Sequence, residues 1–334
     1  MTHNQAKALL TWYEANKRAL PWRCEPPNAY HTWLSEIMCQ QTRVEAVKGY
    51  YARFLAALPT VEDLAQVDDE KLLKLWEGLG YYTRARNLKK AAQIIVRDHA
   101  GQVPCAPEEL LRLPGIGLYT AGAIASIAYN VPVPAVDGNA LRVLARLWGD
   151  DADIALEQTK RAFAARLLRV IPQERPGVFN QAVMELGALV CLPNGAPLCE
   201  RCPLRDDCHA HLYDLTAELP RRSAKKPRRI EHRQLLILRC GDKLALRKRP
   251  PKGLLAGLLE LPEAFDVPAK LVLSDEDAGA ATHIFTHIEW RMTARKITLR
   301  EELDGAGLIW VTQEALEQTL ALPSAFAGFR GKMF

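Results

Sequence analysis

The stretch from Leu113 to Asn139, LPGIGLYTAGAIASIAYNVPVPAVDGN, constrains this chain more than any other. Pro107, Glu108 and Glu109 suit the first turn of a helix, and Pro114-Gly115-Ile116-Gly117 stops it. Two glycines around one apolar residue allow left-handed backbone angles and close approach by another molecule. A second helix opens directly after Gly117, so its unpaired N–H groups point over the hairpin, where a phosphate is a natural ligand. A Gly-x-Gly turn is equally a plain helix–helix corner. The second constraint is Asp137, 20 residues beyond Gly117 and just before an amphipathic run of Ala140, Leu141, Val143, Leu144 and Leu147. An Asp there is ordinarily an N-cap.

At 334 residues the chain is too long for one small core, and two or three domains are expected. With 49% apolar and 25% charged residues its composition is that of a globular protein. No apolar run approaches the length of a membrane span, and the N-terminus lacks a signal-peptide pattern. The expected location is cytoplasmic, or nucleoid-associated in a bacterium, with no membrane partner. The net charge of +5 is not spread along the chain. Residues 220–233, PRRSAKKPRRIEHR, hold seven basic side chains and one acidic, and the rest is close to neutral. Such a run is a solvated connector or a track for a phosphate backbone.

Helical signals follow one another through the first 215 residues, and no strand-like alternation precedes about residue 234. Residues 1–20 read as one amphipathic helix that Leu20-Pro21-Trp22-Arg23 breaks. Thr32 reads as the cap of the next helix, which turns Trp33, Leu34, Ile37 and Met38 inward and carries Glu36 on its flank. Thr42-x-x-Glu45 reads as a capping box, leaving Gln40 and Gln41 at a junction. Thr60 caps a further helix. Helices over 68–77 and 83–99 enclose Gly78-Leu79-Gly80-Tyr81-Tyr82, a corner that displays two aromatics; 138–149 and 155–170 are helical again.

Eight cysteines are present, and Cys191, Cys199, Cys202 and Cys208 fall in one short stretch, C-x7-C-x2-C-x5-C. Without a secretory signal, metal explains such a set better than disulfides. Four thiolates hold zinc or an iron–sulfur cube, and spacing alone leaves both open. Cys24, Cys39, Cys105 and Cys240 read as small apolar fillers.

After the basic segment the texture changes. Residues 234–238 and 243–247 read as a hairpin across Gly241-Asp242, strand-like segments recur at 281–286, 289–299 and 307–312, and a helix follows near 313–320. The pattern predicts a separate α+β domain.

LPWR, SEIMCQQT, GLGYY, LPGIGLYTAGA, VDGN, FNQAVMELGA, the four cysteines and the late Phe285-Thr286-His287 resemble, in order and spacing, the MutY-type adenine DNA glycosylases. The resemblance covers nearly the whole chain. It implies a multidomain protein: an all-α helix–hairpin–helix glycosylase domain over 1–215, a basic linker over 216–233 and a Nudix-like lesion-recognition domain over 234–334. Within the first, a helical barrel is expected at about 24–130, with the N-terminal helix and 131–215 forming the iron–sulfur part. The family removes adenine mispaired with 8-oxoguanine or guanine in double-stranded DNA, and a monomer is expected. The implied cofactor is a [4Fe–4S] cluster on the four cysteines, although the family's first gap is usually six residues and here it is seven. The loop Leu192–Leu198 also lacks the basic residues that family members often carry.

The resemblance also implies roles. Adenine leaves only when its N7 is protonated, so Glu36, beside Trp33 and Ile37, is expected to be the general acid. The sugar develops oxocarbenium character, which Asp137 is expected to stabilise or capture. Tyr119 and Asn139 are expected to buttress the Asp and position water. Trp22, Arg23 and Gln181 match positions around the extruded adenine. Gln41 and Tyr81 match residues that wedge beside 8-oxoguanine, Phe285, Thr286 and His287 match the lesion loop, and Gly115 and Gly117 match the phosphate contact. The similar endonuclease III type, which excises damaged pyrimidines and nicks the strand, carries a Lys where this chain has Tyr119, and a phenol forms no Schiff base. A non-enzymatic iron–sulfur DNA-binding module is the third reading, disfavoured because Glu36 and Asp137 are both present. A Nudix hydrolase needs a run of metal-binding glutamates, and no Arg-Glu-x-x-Glu-Glu occurs.

Overall fold

In the computed structural model, which describes residues 1–224 and 227–334, the chain separates into two compact units. The first comprises residues 1–66 and 87–224, the second residues 67–86 and 225–334. Lys225 and Lys226 of the basic segment lie outside the described residues.

The helices of the first 224 residues are α1 (His3–Asn16), α2 (Ala29–Cys39), α3 (Val44–Ala57), α4 (Val61–Gln66), α5 (Asp69–Leu75), α6 (Thr83–Asp98), α7 (Pro107–Leu110), α8 (Leu118–Tyr129), α9 (Gly138–Trp148), α10 (Glu157–Leu168), α11 (Pro176–Leu189) and α12 (His209–Leu212). Local chemistry sets most boundaries. Thr2 and Gln5 cap each other reciprocally at the start of α1. Thr60 and Asp63 do the same before α4. Two caps differ from the sequence reading. The cap of α2 is Asn28, which accepts from His31 N at 3.0 Å, while Thr32 is buried inside the helix. No capping box forms at Thr42; α3 starts behind Arg43 without a side-chain cap, and Glu45 instead pairs with Lys48 at 2.9 Å.

One core of the first unit lies between α1, α9, α10 and α11, where Leu9, Leu144, Phe163, Leu167 and Phe179 are fully buried. Each such side chain contributes roughly 1.5–3 kcal/mol through removal from water. Helices α9 and α11 approach closely at Gly187, where an added Cβ would lie 2.7 Å from Asn139 Cβ. Of the four scattered cysteines, Cys105 is exposed and is therefore no filler; Cys24, Cys39 and Cys240 are half-buried. Among the described residues no helix is long and apolar enough to cross a membrane.

The second unit is built on one sheet of six strands: β1 (Arg229–Cys240), β2 (Lys243–Lys248), β3 (Leu259–Glu260), β4 (Val272–Ile284), β5 (Ile288–Leu299) and β6 (Leu308–Thr312). The strands β1 and β2 form the expected hairpin, paired Arg239 to Leu244 and Cys240 to Lys243. Beyond that tip β1 runs parallel to β5 for its full length, from Arg229–Ile288 to Cys240–Leu299. Antiparallel to β5 lies β4, with two irregularities near its acidic stretch. After β6 the helix α13 (Gln313–Gln318) and the short α14 (Arg330–Met333) follow. Trp290, Phe326, Phe329 and Met333 fill the core on one face of the sheet.

Candidate active site

Two carboxylates meet in a cleft of about 2270 Å³ in the first unit. Glu36 comes from the last turn of α2, whose Trp33 and Ile37 are buried on either side of it. Helix α8 packs against α2 and brings Tyr119 from its first turn, so that the phenol donates a hydrogen bond to Glu36 Oε2 and braces this carboxyl in place of the expected Asp137. Burial pushes the Glu36 carboxyl up to about 7, the Tyr119 bond pulls it back, and the nearby Asp137 charge adds to the rise. Glu36 is thus a carboxylic acid able to carry a proton near neutral pH.

Asp137 is the N-cap of α9, as its position before the amphipathic run requires. Its Oδ1 accepts from Ala140 N at 2.7 Å and its Oδ2 from Asn139 Nδ2 at 2.9 Å. Burial raises its pKa above 3.8, while the donors of Ala140 and Asn139 and the Arg142 charge oppose the rise. Every hydrogen-bonding neighbour of Asp137 is therefore a donor that favours the anion. The orientation of Asn139 is fixed from behind, because Arg142 Nη2 donates to its Oδ1 at 2.9 Å. Arg142 is itself held by Gly187 O at 2.8 Å and Cys191 O at 2.7 Å. The Tyr119 hydroxyl faces Met184 Sδ of α11 at 3.5 Å.

The far wall is an arginine–carboxylate lattice. Glu185 takes two bonds at 2.9 Å from the Arg18 guanidinium and one at 2.8 Å from Arg18 N. Arg23 Nη2 reaches the same carboxylate at 2.9 Å. Burial would raise the Glu185 pKa, but these bonds outweigh it and hold the group at about 2. Arg23 Nε donates to Gln181 Oε1 at 3.1 Å, and the Tyr13 hydroxyl donates to the same oxygen at 3.2 Å. Gln181 lines the cleft with its oxygen taken twice, which leaves its NH2 group as the donor it can offer a ligand. Most of Arg23's donors are spent on Gln181, Glu185 and Arg18 O, so it braces the wall rather than offering a free fork to a base.

Glu36, Tyr119, Asp137, Asn139, Trp22, Arg23, Gln41 and Gln181 all line this one cleft. Trp22 stands edge-on to Tyr51 with ring centroids 5.3 Å apart, and Gln41 projects from a left-handed backbone at φ 58°. Gly115 adopts φ 81° at the hairpin and an added Cβ would lie 2.9 Å from Asn87 Cβ. Gly117 takes an ordinary extended conformation, so its left-handed freedom is not used. Tyr13, Arg18, Met184 and Glu185 were not legible from sequence, since each acts through a partner distant in the chain, and Arg142, three residues from Asn139, is held in place by the distant Gly187 O and Cys191 O.

Tyr81, Phe285, Thr286 and His287 belong to the second unit. The turn between β4 and β5 is closed by Phe285 N donating to Ile288 O at 2.8 Å, and Phe285 packs on Trp290 at 4.9 Å between ring centroids. Thr286 and His287 are left exposed. The Tyr81 hydroxyl lies 2.6 Å from Thr286 Oγ1. On the same sheet, Glu260 and Glu263 are paired with Arg233 at 2.9 and 2.8 Å, and Glu260 also with Arg249.

The four clustered cysteines bracket two short 3-10 turns, Cys199–Arg201 and Arg205–Asp207. Burial pushes Cys202 up to about 12, and the thiols of Cys191, Cys199 and Cys208 add to the rise. Cys199 and Cys208 are raised in the same way. The buried Arg146 donates to Cys191 Sγ at 3.3 Å. Among the described residues no three His, Cys, Asp or Glu side chains form a set that would clasp a single ion.

Fold and cleft define a base-excision DNA glycosylase of the helix–hairpin–helix class. Residues 34–172 match the model of the HhH-GPD superfamily base excision DNA repair proteins, and residues 234–329 match that of the NUDIX domain. Among solved structures, a thermostable thymine-DNA glycosylase superposes with a TM-score of 0.57 at 27% identity over 62% of this chain and 95% of its own. Endonuclease III in a non-covalent DNA complex gives 0.54 at 25% identity, over 64% of this chain and 99% of its own. The adenine DNA glycosylase of Rattus norvegicus is 34% identical over 92% of this chain and 73% of its own length. That of Homo sapiens is 32% identical over 97% and 74%. That of Arabidopsis thaliana is 38% identical over 84%, and there the chain spans about half of the relative's length, 55%. The chain belongs to the adenine DNA glycosylase family.

Proposed function

We propose that the protein hydrolyses the N-glycosidic bond of adenine mispaired with 8-oxoguanine or guanine in duplex DNA, and that it stops there. The observation that carries this reading is the pair of carboxylates in one cleft, one bonded to a phenol and the other surrounded by donors. A base inside the stack exposes no face to such a pair, so the adenosine must be extruded into the cleft. Glu36 delivers a proton to adenine N7, the C1′–N9 bond breaks with its electrons leaving on the base, and Asp137 faces the developing sugar cation. Water adds at C1′ and Asp137 takes its proton. Tyr119 holds Glu36 by its hydroxyl, and Asn139 holds Asp137. Gln181 supplies an NH2 donor for a ring nitrogen of the base, while Trp22 offers a ring face or edge to it.

No amine stands in place of Tyr119, which supports hydrolysis without strand cleavage. The test is a duplex containing one A:8-oxoguanine pair: free adenine should appear and the strand should stay intact until alkali is added. Nicking at the rate of base release, or release of a damaged pyrimidine in place of adenine, would overturn the reading.

The four cysteines fit an iron–sulfur cube. Burial, with the neighbouring Cys191 sulfur, raises the pKa of Cys199, Cys202 and Cys208, a rise that bound cations would reverse, and Arg146 donates to Cys191 Sγ. Cys191, Cys199, Cys202 and Cys208 would hold the cluster. Ligation there would tie down the loop after α11 and with it Cys191 O, to which Arg142 Nε donates. Anaerobically purified protein should contain about four irons per chain and absorb broadly in the visible. Stoichiometric zinc without iron would refute this.

In the second unit we assign Thr286, His287 and Tyr81 to the base opposite adenine. 8-Oxoguanine carries an N7–H donor where guanine has an acceptor, and a Thr hydroxyl accepts from such a donor. With Glu260 and Glu263 neutralised by arginines, the NUDIX-like fold serves recognition and not hydrolysis. DNA being the substrate, the protein works in the compartment that holds it.

A further inference from the structure

Residues 67–86 pack within the second unit through polar contacts that neither the reaction nor the lesion contact uses. Lys74 of α5 spends all three ammonium N–H groups: on Glu77 Oε2 at 2.7 Å, Leu316 O at 2.8 Å and Leu320 O at 3.1 Å. Leu316 O is in the last turn of α13, an end that favours a cation, and Leu320 O lies two residues beyond the helix. Glu77 uses its other oxygen to accept from Leu322 N at 3.3 Å and from the Arg330 guanidinium. Lys74 and Glu77 are only 20% and 15% exposed, so these bonds are shielded from water.

The chain then turns through Gly78 at φ 98° and Gly80 at φ 70°, and delivers Tyr81 at φ 47°. The corner is braced by Trp76 Nε1 donating to Gly80 O at 3.0 Å and by Arg84 Nη2 donating to Leu79 O at 3.0 Å. Tyr81 is 48% exposed and Thr286 is exposed too, yet their hydroxyls meet at 2.6 Å. A hydrogen bond between two solvated side chains adds little by itself, because water competes for both and ordering them costs entropy. It persists when the backbones that carry them are already held in register. Lys74 and Glu77 provide that register, since they fasten the segment immediately before Tyr81 to residues 316–330 of the unit that carries Thr286.

We infer that the Lys74–Glu77 latch is a specificity-determining element: it holds Tyr81 against Thr286 and so sets the preference for 8-oxoguanine over guanine opposite adenine. The inference rests on the assignment of Thr286 and Tyr81 to the lesion. Lys74 and Glu77 are positioning residues, with no contact to the base.

The test uses full-length protein and single-turnover rates on A:8-oxoguanine and A:G duplexes. Glu77→Gln should lower the ratio of the two rates by roughly 3- to 10-fold, the scale of one weakened hydrogen bond, with the A:G rate unchanged. Tyr81→Phe should lower the ratio at least as far, and the double variant no further than Tyr81→Phe alone, because both changes break one device. Should Glu77→Gln fold poorly, the exposed Arg330→Gln carries the same expectation with a smaller loss. Equal slowing on both duplexes, multiplying losses in the double variant, or an unchanged ratio in Glu77→Gln beside a lowered one in Tyr81→Phe would each overturn the latch and leave the lesion reading standing. An unchanged ratio in both Tyr81→Phe and Thr286→Val would overturn the lesion reading, and the latch with it.

Discussion

Glu36→Gln is expected to retain duplex binding and to lose ~10²–10⁴-fold in the single-turnover rate of adenine release, the usual contribution of a general acid. The amide matches the carboxylic acid in size and still accepts the Tyr119 hydrogen bond, but it has no proton to give. Its pH behaviour separates this role from a structural one. With the carboxyl pushed up to about 7 by burial, the protonated fraction falls tenfold per pH unit above that value, and the wild-type rate should fall with it. The variant's residual rate should lack this alkaline limb. Stability should change in the opposite sense. A carboxyl whose folded pKa is raised from 4.5 contributes stability at acid pH that is lost as pH rises through about 7. Glu36→Gln should therefore melt higher than wild type at pH 8.5, by a shift that disappears near pH 4.5. A rate within threefold of wild type, or an alkaline limb that survives the substitution, would remove Glu36 from the role of acid.

Asp137→Asn is expected to be impaired by ~10²–10³-fold, as for other removals of a group that stabilises transition-state charge. The fold should tolerate it, since an Asn side chain also caps Ala140 N. What changes is the charge facing the sugar cation and the partner of Asn139. The Asn139 amide donates to Asp137 Oδ2, and an amide nitrogen at that position would confront it with a second donor. Asn139 cannot simply turn over, because its oxygen is engaged by Arg142. The loss should therefore appear in the chemical step with duplex affinity retained. A variant with normal single-turnover rate at saturating protein, or one whose loss lies wholly in binding, would contradict the assignment. Because burial raises the Asp137 pKa above 3.8, the wild-type rate should also fall on the acid side as Asp137 takes up a proton, giving a bell-shaped profile.

The sequence by itself determined most of the local elements and named the candidate reacting groups. Periodicity and caps placed α6, α9 and α10 within a residue or two, because those signals are local: apolar spacing, Asp137 before α9, Gly149 after it. Motif order placed Glu36, Asp137, Tyr119 and the four cysteines in one family pattern. The same local reasoning misplaced the starts of α2 and α3: Asn28 caps the first in place of Thr32, and the second begins behind Arg43 with no side-chain cap. It missed most of β4, whose Ser-Asp-Glu-Asp stretch has no strand propensity and is held by pairing with Arg295 and Lys296 on β5. The parallel alignment of β1 with β5 was equally illegible, since it depends on a partner about 60 residues away and not on a turn. Only the tertiary structure decided that the Glu36 carboxyl is pushed up to about 7, for that rise comes from burial between distant parts of the chain. It alone decided that Arg23 is spent on Glu185, and that residues 67–86 pack with the C-terminal unit. Residue type fixes what a group can do; burial and partners, which are sums over distant parts of the chain, fix whether it is free to do it.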